Sequence, residues 1–369
     1  MRLAIKSVKA FRTGYRCYSS VPETFSKSIY VSKETDIFTN LALEDWFYSN
    51  LDFTNEEVLM LWQNKPCVVI GRHQNPWIEC NFAMLPYIAG GTKLARRNSG
   101  GGTVYHDLGN LNLTFFTNRK AYNRKRNLEL ISRSLKSSFK INSEITPRED
   151  LCIGNMKISG TASKLGRNSA YHHCTLLVNT NKNDLSLALK NSLEECVDIK
   201  TNASRSVKSP IINLKEENKD IQVKEVMAAL IQDYKKTTKT FKDFKIIEDI
   251  NEQLFPGITY IRNQYCSVAW IYEKTPKFQL WKNIPLLDDE YSVVKLSLSV
   301  DNGKVTNVEL NIKDRTLSES DIGLKDFYLL INNLVGKPFS QELLDEFELV
   351  ASGLKNSQLC RDIVHNNVL

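Results

Sequence analysis

The sequence has no Cys-x-x-Cys pair, although it holds eight cysteines, and its five histidines show no metal-ligand spacing with them. Neither a zinc site nor a disulfide framework is therefore expected. The cysteines read as reduced thiols, mostly buried in apolar runs such as Cys67-Val68-Val69-Ile70. No stretch approaches the ~20 apolar residues of a membrane span, and neither repeats nor low-complexity tracts occur. What remains is ordinary for a folded soluble chain, with 42% hydrophobic and 25% charged residues. At 369 residues the chain is long for one core, so two domains are expected.

Acidic residues are absent from positions 1–20, which hold Arg2, Lys6, Lys9, Arg12 and Arg16. The formal charge of +7 falls to +2 once these five cations are set aside. The charge thus gives no argument for nucleic-acid binding. At roughly 100° per residue the five cations share one helical face, and Leu3, Ala4, Val8, Phe11 and Tyr15 share the other. An Arg-rich, acid-free amphipathic start is the composition of a mitochondrial transit peptide. The alternative is a basic tail without structure.

Further along, Ile37 to Tyr48 carries apolar residues at helical spacing after a cap at Thr35 or Asp36. Glu57–Trp62 and Cys67–Ile70 are short apolar runs separated by Asn64-Lys65-Pro66, a hairpin signal. Leu128–Phe139 and Leu185–Leu193 read as helices. Lys157–Ala162 and Ala170–Val178 read as strands joined by Gly166-Arg167-Asn168. Residues 197–218 are polar and read as a surface loop. Helices are expected at about 222–237 and 240–250. A second domain is expected from about Gln264. In it, strands at Tyr291–Val300 and Val305–Ile312 flank the turn Asp301-Asn302-Gly303-Lys304, and helices follow at about 325–334 and 340–352.

The most informative run is Arg96 to Asn112, RRNSGGGTVYHDLGNLN. Gly100, Gly101 and Gly102 can take φ > 0 and let the backbone approach a ligand closely. Their N–H groups can cradle an anion, and Arg96 and Arg97 add positive charge. A tight structural turn is the competing reading of the glycines alone. The whole run resembles the signature of the lipoate–protein ligase and lipoyltransferase family, within the cofactor-transferase fold that includes biotin–protein ligases. The resemblance continues in order through WQNKPCVVIGRHQNP (62–76), Glu79-Cys80-Asn81, KISGTASK (157–164), YHHCTLL (171–177) and WIYEKTPKF (270–278).

This resemblance implies an α/β (α+β) catalytic core of mixed sheets with helices outside, followed by a small α+β accessory domain. We expect a transit peptide over 1–18, a catalytic domain over 28–250 and an accessory domain over 264–369. The implied reaction moves a lipoyl or octanoyl group onto a lysine of lipoyl domains in 2-oxoacid dehydrogenase E2 subunits. The implied place is the mitochondrial matrix, and the implied donor is lipoyl-AMP or the lipoylated glycine-cleavage H protein. A complete ligase would instead use lipoate, ATP and magnesium. A non-catalytic protein that only binds lipoylated carriers would not need the lysine motif. No tightly bound cofactor, no metal and no nucleic-acid or membrane partner is implied, and a monomer is expected.

Within that frame Arg97 and Gly100–Gly102 would face the phosphate and carbonyl end of an acyl-adenylate. Tyr105 would line the acyl tunnel and His106 would bond the ligand's polar end. Lys157 falls in an apolar run, where an ammonium must find an anion or lose its charge. The motif gives it the catalytic role, an ammonium that stabilises charge developing on the acyl carbonyl and phosphate. The competing reading is an edge-strand lysine that reaches solvent. Arg148 matches a ligand-contacting arginine of the animal enzymes, with one residue fewer between it and Lys157. Asp150 either binds magnesium or orients Lys157. Thr175 either points its hydroxyl at the ligand or is a β-former with a satisfied hydroxyl. Ser204 and Ser206 lie in the segment that closes over the adenylate in the family. Cys152 and Cys174 are secondary candidates as nucleophiles, and Trp77, Trp270 and Trp281 are expected to pack between domains.

Overall fold

The computed structural model describes residues 25–190, 193, 197–286, 289–312, 315–316 and 331–356. The expected transit peptide, and most of the helix expected at 325–334, lie outside these residues.

The chain opens with a β-α-β unit. Strand β1 (Ser26–Ser32) runs parallel to β2 (Glu56–Trp62), and helix α1 (Ile37–Asn50) makes the crossover. Asp36 caps α1 by accepting from the Thr39 N–H, as its position before the first apolar residue predicts. Strand β6 (Asn110–Asn118) then pairs antiparallel with β2, and β11 (Ser169–Leu177) with β6. Strand β10 (Thr161–Leu165) forms a hairpin with β11. At the other edge β13 (Phe241–Ile247) returns parallel to β1, which completes a six-stranded sheet. The helix expected at 240–250 is therefore a strand. Its Phe-x-x-Phe-x-Ile-Ile pattern suits either period, and the free edge of β1 decides the outcome.

Each face of this sheet buries one set of alternating side chains. Leu59, Leu61, Leu113 and Phe115 pack beneath helices α3 (Arg124–Phe139) and α6 (Val223–Lys236). Val58, Met60, Trp62 and Phe116 face α1, whose Leu41 and Phe47 fill that side. The same face meets a smaller sheet made of β4 (Lys93–Arg96), β3 (Cys67–Ile70) and β5 (Val104–His106). Strands β2 and β3 thus belong to different sheets and form no hairpin. Asn64 is fully buried in this connection, bonded to Asn40 and His106, and Lys65 N–H donates to Thr35 O. The polar connector is tied to α1 and to β5, so it turns the chain from one layer to the next.

A third sheet of short strands, β7 (Glu144–Ile145), β8 (Leu151–Ile153) and β9 (Met156–Lys157), sits at the end of α3. The strand expected at Lys157–Ala162 is broken here: β9 ends at Lys157 and β10 begins at Thr161. Gly160 lies in the break, where an added Cβ would stand 3.2 Å from both Thr175 Oγ1 and Val104 Cγ1.

The accessory sheet is antiparallel, in the order β12 (Asp198–Thr201), β14 (Phe278–Leu286), β15 (Asp289–Asp301), β16 (Lys304–Ile312) and β17 (Arg315–Thr316). Asn302 and Gly303 both have φ > 0 in the β15–β16 turn, as the sequence there demands. Helix α9 (Gln341–Asn356) covers this sheet with Leu343, Leu344 and Phe347. Two features cross the expected boundaries. Strand β12 comes from the run read as a loop. The boundary expected at Gln264 falls within α7 (Ile258–Cys266), whose Ile258 and Tyr265 are buried beside α1. Trp77 packs between the two parts, stacked on Phe82 and edge-on to Phe339 of the accessory core. No helix among the described residues is long and apolar enough to cross a membrane.

Candidate functional site

Two cavities converge on Lys157. The first, about 420 Å³, lies between the six-stranded sheet and the small β4-β3-β5 sheet. Its closed end is walled by Leu41, Trp62, Val69, His106 and Asn112, all almost fully buried. Its mouth is formed by Arg148, Asp150, Lys157 and Ser204–Val207. The second cavity, about 590 Å³, opens on the other side of Lys157. Ile78, Tyr105, Leu177, Leu185 and Leu189 give it an apolar wall, and Lys182 and Lys208 lie at its rim. Thr103, Gly160, Thr175 and Ser206 line both cavities.

Lys157 is half-buried, and its Nζ stands 2.8 Å from Asp150 Oδ1. It is thus not the lysine of an apolar strand that its neighbours in sequence suggested. Met156 is exposed, and β9 is only two residues long. Asp150 is the carboxylate paired with Lys157. It ends the turn Thr146–Asp150, in which Asp150 N–H donates to Thr146 Oγ1 and Thr146 N–H to Asp150 O. Arg148 is exposed on the same turn.

The glycine run is held from behind. Arg97 is buried and spends its guanidinium on the loop itself. Its Nη2 donates to Gly100 O and Gly102 O at 2.7 Å, its Nη1 to Val69 O at 3.0 Å, and its Nε to Ser99 Oγ at 2.9 Å. Burial lowers its pKa to about 10, which keeps it charged at neutral pH. Arg96 is fully buried and ties β4 to the far connection through the Ile271, Arg72 and Gln74 carbonyls. The three glycines differ in role. Gly101 has φ +86°, Gly100 faces open space, and Gly102 packs against Ser206. Gly71, which sequence reasoning passed over, is packed directly against this run. An added Cβ there would meet Gly101 O at 2.2 Å.

Behind the loop, Glu44 Oε1 lies 2.9 Å from His173 Nδ1, and His173 Nε2 lies 2.8 Å from Ser99 Oγ. This glutamate–histidine–serine order resembles a hydrolytic triad, but Ser99 is buried and its oxygen is engaged by Arg97. It works as a brace that carries α1 through β11 to the glycine loop. His172 faces the opposite side of the sheet, as alternation on a strand requires, and stacks on Phe115. Asn40 donates to Asn64 Oδ1, which leaves Asn64 Nδ2 to donate to His106 Nδ1 at 2.9 Å. The His106 ring proton therefore sits on Nε2. Burial first, then the Arg97 charge, pushes its pKa down to about 3, so the ring is neutral. Tyr105 is buried on the wall of the second cavity, not the first. Thr175 Oγ1 accepts from the Gly160 N–H at 2.9 Å, and the residue lines both cavities. Burial raises the pKa of Cys152 and Cys174, which suppresses the thiolate either would need as a nucleophile.

The run 197–218 is a strap. Ser204 N–H donates to His73 O, and Lys157 N–H donates to Pro210 O at 2.8 Å. Ile212 N–H returns to Lys157 O at 3.1 Å, so the strap pairs with the lysine strand itself. Ser206 is drawn inward to Glu79, Gln74 and Thr103. Glu79 carried no assigned role in the sequence, although a carboxylate in the apolar Pro76-Trp77-Ile78 run was the available signal.

Residues 36–235 match the lipoyl protein ligase A/B catalytic domain. The chain is 41% identical over 306 residues to the human mitochondrial lipoyl amidotransferase LIPT1, covering 80% of each protein. It is 35% identical to a lipoate–protein ligase A of Psychrobacter cryohalolentis, over 67% of this chain and 72% of that protein. Among solved structures, the Plasmodium falciparum ligase LipL1 in complex with lipoate superposes with a TM-score of 0.59. That match has 27% identity and covers 93% of this chain and 99% of the other. On the extent of these matches, the chain belongs to the lipoyl protein ligase A/B family and is an acyltransferase.

Proposed function

We propose that the protein transfers a lipoyl group to a lysine of the lipoyl domains of 2-oxoacid dehydrogenase E2 subunits. The donor is lipoyl-AMP or lipoylated glycine-cleavage H protein, and the site is the mitochondrial matrix. The observation that carries the reading is the meeting of two cavities at one ammonium. A mixed anhydride has two unlike arms, an apolar acyl chain and a nucleotide, joined at a carbonyl and a phosphate. Such a ligand suits a buried narrow cavity and a wider one that share Lys157, Gly160 and Thr175 at their junction.

In the reaction the carrier lysine amine attacks the acyl carbonyl carbon. With lipoyl-AMP a C–N bond forms, the C–O bond to phosphate breaks, AMP leaves, and the proton lost by the amine passes to solvent. With lipoyl-H protein the amide C–N bond to the donor lysine breaks instead, and that lysine leaves as an amine carrying the proton. Lys157 supplies positive charge where the carbonyl oxygen and the phosphate gain negative charge, and Asp150 fixes its direction. Arg97 holds the glycine carbonyls back so that the loop N–H groups face the ligand. Thr175 and Ser204 border the junction, and Arg148 stands at its exposed edge. The amidotransferase name of the human relative favours an amide-linked lipoyl group as a second donor to this chain.

The test offers the purified protein three donors with an E2 lipoyl domain: lipoyl-AMP, lipoyl-H protein, and lipoate with ATP and magnesium. Intact mass of the lipoyl domain reports transfer. We expect transfer from at least one of the first two. An unmodified lipoyl domain with all three donors refutes the reading. For the location, the mature N-terminus of imported protein is expected near Tyr18–Ser19, and a cytosolic full-length chain beginning at Met1 overturns it.

A further inference from the structure

We propose that Glu79 is a positioning residue that latches the strap to the glycine loop, and that Ser206 is the part of the strap it grips. The proposal deepens the acyl-transfer reading, because the strap it fixes lines both cavities.

Glu79 ends helix α2 (Pro76–Glu79), on the far side of the second cavity from Lys157's own sheet. Its carboxylate is almost entirely buried and accepts from hydroxyl and backbone N–H donors, with the Arg97 charge close enough to interact with it but not bonded to it. Every bond it accepts comes from two residues. Oε1 accepts the Ser206 N–H at 3.1 Å. Oε2 accepts the Ser206 hydroxyl and, at 3.0 Å, the Thr103 hydroxyl. Ser206 Oγ in turn accepts from Thr103 N–H at 2.8 Å and from Gln74 Nε2 at 3.0 Å. Gln74 Oε1 accepts from Gly71 N–H at 2.8 Å, which closes the network onto the loop that presses against Gly101. One buried carboxylate therefore joins α2, the glycine loop and the strap.

Burying a carboxylate is costly unless donors satisfy it. With the strap away, Glu79 would keep only Thr103. With the strap seated, it gains both donors of Ser206. The carboxylate thus favours the seated strap, and the strap in turn completes the walls around Lys157 through its bonds with Pro210 and Ile212. A second feature makes the fit specific. An added Cβ on Gly102 would lie 3.1 Å from Ser206 Oγ, so this glycine leaves room for the latch.

The glutamine variant is the sharp perturbation. Glu79→Gln keeps size and one acceptor but turns one oxygen into a donor, which then faces either the Ser206 N–H or the two hydroxyls. Hydrogen exchange of residues 204–212 in the unliganded protein reads the latch without any ligand. We expect roughly tenfold or greater acceleration there in Glu79→Gln and in Ser206→Ala. The double variant should exchange no faster than the faster single variant, since both break one network. Affinity for a sulfamoyl analogue of lipoyl-AMP should fall only by the loss in the seated fraction, which is small while the seated strap dominates. Unchanged exchange in a folded Glu79→Gln protein, or additive effects in the double variant, overturns the latch. If exchange accelerates but the unaltered protein does not bind the analogue, the latch stands and the acyl-transfer reading fails. If Glu79→Gln does not fold, the Ser206→Ala and Ser206→Gly variants carry the test through the other partner.

Discussion

Replacing Lys157 by alanine should separate its chemistry from its structural worth, because the two differ greatly in size. The Lys157 side chain is 24% exposed and pairs with a similarly accessible carboxylate, Asp150 (19%), at 2.8 Å. An ion pair so placed contributes at most about 1 kcal/mol to stability, since solvent screens it and ordering two long side chains costs entropy. Removing one donor aimed at developing oxyanion charge typically costs about 3–4 kcal/mol in the transition state, or 10²- to 10³-fold in rate. Lys157→Ala should therefore lose about 10²-fold or more in transfer while melting within a few degrees of the parent. Lys157→Arg should also fail, because a planar guanidinium cannot take the place of a compact ammonium between Asp150 and the junction. The assay is single-turnover transfer from lipoyl-AMP to a lipoyl domain, with thermal unfolding as the control. A well-folded Lys157→Ala protein with near-normal transfer would refute the role. Neither Cys152 nor Cys174 would replace it readily, as burial disfavours both thiolates.

Gly71→Ala should destabilise the protein by about 1–3 kcal/mol, the usual range for overpacking, because its Cβ would meet Gly101 O at 2.2 Å. Gly100→Ala should unfold at the parent midpoint, as it faces open space; equal urea midpoints for the two variants would refute the distinction. Stability should also fall with pH below about 6.5. The unfolded chain protonates His106 there, whereas the folded ring stays neutral down to about pH 3. Burial lowers the His172 pKa in the same direction. His106 alone removes about 1.4 kcal/mol per pH unit across that window. Urea midpoints measured from pH 7 to pH 5 should drop more steeply in the parent than in His106→Asn, and parallel profiles would refute the assignment.

Local signals carried much of the fold. The cap at Asp36 and the turn at Asn302-Gly303 each give an element its place without help from distant residues. The failures have one physical source, which is partner choice. Phe241–Ile247 satisfies more than one period, and only the open edge of β1 makes it a strand. Cys67–Ile70 is apolar on both faces, so its sequence does not say which sheet receives it. The β9–β10 break is likewise invisible, because Gly160 looks like part of one continuous strand until Thr175 and Val104 are seen against it.

The candidate site divides in the same way. The glycine loop was legible as a close backbone approach, because glycine states its purpose by lacking a side chain, and Gly101 and Gly102 do border the first cavity. Lys157 was legible through its motif, though its setting was not, since burial depends on the neighbouring strap. Arg97 shows the limit most clearly. A guanidinium beside a glycine loop suggests an anion, yet the same five donors suit carbonyl oxygens equally well. Once Gly100 O and Gly102 O turn inward, Arg97 is committed to them. In the proposed function the positive end of the site then falls to backbone dipoles and Lys157. An Arg97→Lys change should accordingly loosen the glycine loop before it weakens any direct contact with phosphate, because a single ammonium cannot span Val69, Ser99, Gly100 and Gly102 at once.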